Sequence, residues 1–89
     1  MPDRSEVAQE WFEKGMHDFA AAKLLFKGGH YTDTVAVLIQ QAVEKHLKGF
    51  LIYHGWKLQK IHDLVRLLAE ASKYSGPLAK FEEACRHIT

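Results

Sequence analysis

Between residues 35 and 64 the chain reads VAVLIQQAVEKHLKGFLIYHGWKLQKIHDL, and the apolar positions in this stretch leave little choice of secondary structure. Val35, Leu38, Ile39, Ala42, Val43, Leu47, Phe50 and Leu51 recur at steps of three and four. That is the repeat of one helix face buried against neighbours. Gln41, Glu44, Lys45 and Lys48 recur at the same steps between them, so they form a polar stripe that is expected to face outward. The stripe has two readings. It is either a ladder of helical ion pairs, with Glu44 four residues ahead of Lys48 in the favourable order, or a surface that binds something.

The apolar pattern extends in both directions. From residue 5 to residue 27, Ala8, Trp11, Phe12, Met16, Phe19, Ala22, Leu25 and Phe26 recur at helical intervals, which predicts a first helix. Ser5 is its expected N-cap, Glu6 an acidic first-turn residue and Gly28-Gly29 its stop. Gly15 interrupts good helix formers at a cost of about 1 kcal/mol relative to alanine, which a close crossing with another helix would explain. The short linker GGHYT favours an antiparallel return, with Thr32 or Asp33 capping the second helix.

Gly55 ends the second helix, and residues 56–60 make a basic connection. A third helix is predicted to open near His62-Asp63 and to run through Leu64, Val65, Leu67, Leu68 and Ala71 towards Tyr74. Ser75-Gly76-Pro77 reads as a stop followed by a start, with Ser75 as cap and Pro77 in the first turn of a fourth helix that carries Leu78, Phe81, Ala84, Cys85 and Ile88. The expected fold is an all-α, antiparallel up-and-down four-helix bundle: one long hairpin plus two shorter helices. It occupies residues 1–89 as one domain, and its last helix is still in pattern where the sequence stops.

Composition limits what such a bundle does. A formal net charge of +1 does not provide the clustered basic surface of a general nucleic-acid binder. Six histidines invite a metal, but no two lie three or four residues apart, so no metal site is expected. No run approaches the 18 or so apolar residues of a membrane span, and the first ten residues contain no apolar signal core. With one cysteine, Cys85, the expectation is a cytoplasmic protein in which that thiol serves as a small buried hydrophobe. The aromatic residues at helical spacing are expected to be core or dimer contacts rather than a platform for stacking bases.

Several residues at set separations resemble the HEPN domain family. They are Trp11, Asp18-Phe19-Ala20, Gly29, Tyr31 and Asp33, then Gln41, Glu44-Lys45, Leu47-Lys48, Gly55 and His62-Asp63-Leu64. The chain departs from the family pattern at Val43, at His46 before Leu47, and at Ile61, where threonine is usual. The resemblance implies a helical homodimer that acts beside a separately encoded minimal nucleotidyltransferase, with a nucleotide as candidate ligand and without a cofactor of its own. The alternative it implies is a toxin of a toxin-antitoxin pair that cuts RNA without metal. Such members carry an arginine followed four to six residues later by a histidine, and Arg4, Arg66 and Arg86 have none at that interval within these residues. No catalytic residues are therefore assigned. The candidate binding set is Gln41, Glu44, Lys45, Lys48, His62 and Asp63, because the start of the third helix follows closely on the second and a helix start near lysines can hold an anion. The competing reading makes His62-Asp63 a capping and orienting pair.

Overall fold

A seam of small residues, repeating every seven positions, sets the architecture. On one long helix the seam is Ala8, Gly15 and Ala22, all buried; on the next it is Val35, Ala42 and Gly49, also buried. The structure, a computed structural model, describes residues 3–29 and 32–88, with side chains described as far as Arg86. His30 and Tyr31 of the first turn lie outside the described residues, as do the side chains of His87 and Ile88. Helix α1 spans Arg4–Lys27 and α2 spans Thr32–Tyr53. They run antiparallel, with Gly49 facing the carbonyl of Ala8 and Gly15 facing the carbonyl of Ala42. A methyl group on Gly49 would lie 2.7 Å from the ring of Phe12, and one on Gly15 would lie 2.6 Å from the ring of His46. The crossing inferred at Gly15 is real, and it places the His46 imidazole over that glycine. There Nδ1 of His46 donates to the Ala42 carbonyl at 2.7 Å while the ring stacks on Phe12.

The first helix is capped by Asp3 rather than Ser5. Its carboxylate accepts from the Glu6 N–H at 2.9 Å, and the helix begins one residue before the serine. Thr32 and Asp33 both fall inside α2. At the far end of α2, Gly55 adopts φ +93°, the left-handed conformation that stops a helix. The Gly55 N–H donates to the Ile52 carbonyl and the Trp56 N–H to the Leu51 carbonyl, both at 2.9 Å. This pair of bonds satisfies carbonyls that the helix end would leave open, and Trp56 folds back onto the core beside Leu51.

Helix α3 spans Leu64–Ser72, followed by a 3-10 segment at Gly76–Phe81 and by α4 at Glu82–Ile88. The third helix is thus shorter than its apolar pattern suggests. Asp63 is its N-cap, His62 precedes it, and Tyr74 follows its end. The fourth segment opens as a 3-10 turn with Pro77 in its first turn, where the missing N–H has no partner to lose, and the Ser75 side chain makes no cap. Leu51, Leu64, Leu67, Leu68, Ala71 and Cys85 form the core, which lies between the back of α2 and the two short helices. Leu51, Leu64 and Leu67 are fully buried, each contributing about 1.5–3 kcal/mol. The fold is an all-α bundle in which α1 packs on α2 alone among the elements.

Candidate functional site

The polar stripe of α2 does not form an outward ridge. Lys48 is buried, its side chain 4% exposed, and its ammonium lies 3.0 Å from Oε2 of Glu44 one turn away. Trp11 of α1 covers it, with the ring centroid 5.7 Å from Lys48 Nζ and 5.6 Å from Lys14 Nζ on the same helix. An indole face is a favourable neighbour for an ammonium removed from water. The expected exposure of Lys48 is corrected here: α1 lies over that flank of α2 and supplies the aromatic roof.

Glu44 has a second partner. His62, in the connection leading to α3, places Nδ1 at 3.1 Å from the same Oε2. With the carboxylate ionised, Nδ1 is the donor and the rest of this mostly exposed imidazole faces water. One carboxylate oxygen therefore ties the connection before α3 to the middle of α2, while Lys48 neutralises its charge. Lys45 points to α1 instead and pairs with the partly buried Asp18. Asp63 is engaged locally, its Oδ1 accepting from the Val65 N–H at 3.0 Å and the Arg66 N–H at 3.4 Å. Gln41 is exposed.

Of the six residues singled out from the sequence, the structure brings three together: Glu44, Lys48 and His62. The capping alternative describes Asp63, and ion pairing accounts for the rest of the stripe except Gln41. Removing the cap gives a direct check. Asp63→Ala is expected to lose about 1 kcal/mol, seen as a melting temperature lower by roughly 4–8 °C. An unchanged melting curve would show that the carboxylate does not hold the start of α3.

Sequence spacing missed two other groupings. His54 stacks on Tyr74 with centroids 4.8 Å apart and also contacts Phe50 and Tyr53, so a ladder of rings joins the end of α2 to the end of α3. The Arg4 guanidinium lies against Gly55, where a side chain would collide with it at 2.6 Å. It borders a polar cleft shared with Asp3, Ser5, Tyr53 and His54. The signal available for both was only that glycine and aromatic residues sit at helix ends. Among the described residues no three metal-ligating side chains converge, and no helix is long and apolar enough to cross a membrane. Burial pushes the Cys85 thiol above its ordinary pKa, which keeps it protonated at neutral pH.

These features define a class: a small helical bundle built on a long antiparallel hairpin, with the buried polar side chains among the described residues paired and several large apolar side chains exposed. The HEPN domain family model matches residues 8–89, and the chain belongs to that family. No match is found among curated proteins or among solved structures.

Proposed function

We propose that this chain is a non-catalytic HEPN-type interaction module of the cytoplasm, which forms a homodimer and acts with a separately encoded minimal nucleotidyltransferase. The observation that carries this reading is the contrast between the two kinds of surface. The side chains best suited to acid, base or anion chemistry hold one another: Glu44 with Lys48 and His62, Lys45 with Asp18, and Arg86 with Glu82 at 2.7 Å. Meanwhile Met16, Phe19, Leu24 and Phe26 are each more than half exposed, which is the property of a chain that meets partners. If a nucleotide binds at the α2 stripe, Gln41 and the outer edge of His62 are the groups we propose to contact it, because both are exposed.

Purification of the tagged chain from its native host, followed by identification of bound protein and nucleotide, tests the proposal. Co-purification of a small nucleotidyltransferase is the expected result. Incubation with RNA in the presence of a chelator tests the competing nuclease reading. Cleavage that disappears in Arg86→Ala would overturn the non-catalytic assignment.

A further inference from the structure

The surface of this chain is too large for its mass. It exposes 6261 Å², whereas a folded monomer of 10.2 kDa exposes about 5,300 Å², an excess on the order of 900 Å². The radius of gyration of 13.5 Å likewise exceeds the roughly 12 Å of a closed domain this long. A standard interface removes about 800 Å² from each partner, so the excess has the size of one missing partner face.

The hairpin shows where that face lies. The small-residue seam leaves two flanks, and the one carrying Trp11, Asp18, Lys45 and Lys48 is closed by ion pairs and the indole roof. The other flank is open. Phe12, Phe19 and Phe26 stand at seven-residue spacing along α1, so they share one side of that helix. Phe19 is 56% and Phe26 70% exposed. Two hollows lie beside them. One, of about 340 Å³, is bounded by Phe19, Val43, Leu47, Phe50 and Leu78. The other, of about 270 Å³, is bounded by Phe19, Phe26, Val35 and Ile39. Lys23 and His46 are the residues with basic side chains on their walls.

We infer that this flank is the surface on which a second copy of the chain docks. The inference rests on the interaction-module reading above and adds the location and register of the contact. A two-fold axis near Phe19 sets the two α1 helices antiparallel across the interface. Phe26, one heptad beyond Phe19, then enters the partner copy's hollow on the far side of its own Phe19, against Phe50 and Leu78. A face that offers projecting rings beside apolar hollows complements itself, which an isologous contact requires. The net charge of +1 sets up little repulsion between copies.

Sedimentation velocity of the full chain tests this with three variants. The unmodified chain is expected to be a dimer at about 100 μM, and Phe19→Glu and Phe26→Glu are expected to weaken association roughly 100-fold or more, because each places a charge in the apolar contact. Both rings are mostly exposed in one copy, so circular dichroism should report intact helices in the variants. Leu24→Glu is the control. Leu24 is equally exposed but lies five residues from Phe19, roughly 140° around the helix axis, and this variant should remain dimeric. A monomeric unmodified chain, glutamate variants that still dimerise, or an equal loss in Leu24→Glu would each overturn the assignment. A chain that is monomeric alone but loses its nucleotidyltransferase partner in Phe19→Glu would also defeat self-docking, while leaving the interaction-module reading intact. Dimerisation through this flank with no nucleotidyltransferase recovered would do the reverse.

Discussion

Glu44→Ala should destabilise the fold by about 3–5 kcal/mol, more than half of what many domains of this size possess. The reason is the ammonium left behind. Lys48 is 4% exposed, its Nζ is paired to Glu44 Oε2 at 3.0 Å, and its other neighbour is the neutral Trp11 ring. Without the carboxylate a nearly dry cation remains in a site that only a cation–π contact of about 0.5–2 kcal/mol continues to favour. Removing both charges avoids that penalty. Glu44→Ala combined with Lys48→Met is expected to recover to within about 1 kcal/mol of the unmodified chain, since methionine fills the stem's volume and needs no partner. The lost His62 contact matters little, because that imidazole is 74% exposed. Urea unfolding of the single and double variants, followed by circular dichroism, decides the matter. If the double variant is as unstable as Glu44→Ala alone, the damage lies in lost packing at Glu44 rather than in an abandoned charge.

That pair also marks how far the sequence could be read. The four-residue spacing of Glu44 and Lys48 announces an ion pair on one helix face. It does not say whether water reaches that face, which is decided by Trp11 on another helix. His62 and Asp63 behave similarly. Asp63 is legible as a cap because its role is local, whereas the His62 bond to Glu44 depends on how the connection after Gly55 folds back. Apolar periodicity places the long helices well, since removing such a face from water is the largest favourable contribution to folding. It overextends α3, because Tyr74 stays in phase with the core positions although the chain has turned after Ser72. The Asp3 cap was hidden by Ser5, an equally good capping type two residues on; side-chain chemistry alone does not choose between them. The aromatic residues of the open flank were legible as core or dimer contacts, without the geometry that separates the two.

Gly49→Val is expected to cost more than about 3 kcal/mol and to loosen α1 as a unit, because the seam at Gly49 has room for no side chain. Alanine is the milder probe. It gains about 1 kcal/mol of helix propensity over glycine, but its methyl meets the Phe12 ring at 2.7 Å and the Ala8 carbonyl at 3.2 Å. The ring can turn; the carbonyl belongs to the backbone of α1 and moves only if the helices part. Gly49→Ala should therefore be a net loss of about 1–2 kcal/mol, as overpacking exceeds the propensity gain. Gly15→Ala offers an internal comparison. Its methyl meets the His46 ring at 2.6 Å and the Ala42 carbonyl at 3.1 Å; the exposed His46 can swing outward, giving up one bond worth about 1 kcal/mol, but the carbonyl belongs to the backbone of α2 and cannot. That loss cancels the propensity gain and the backbone contact remains, so Gly15→Ala should also be a net loss of about 1–2 kcal/mol. Gly49→Val is expected to be the most destabilising, with Gly49→Ala and Gly15→Ala milder and similar to each other. Since α1 packs on α2 alone, hydrogen exchange in Gly49→Val should show α1 amides losing protection while those of α3 retain it. Equal protection throughout, or a Gly49→Val variant as stable as Gly15→Ala, would mean that the helices stand farther apart than this seam requires.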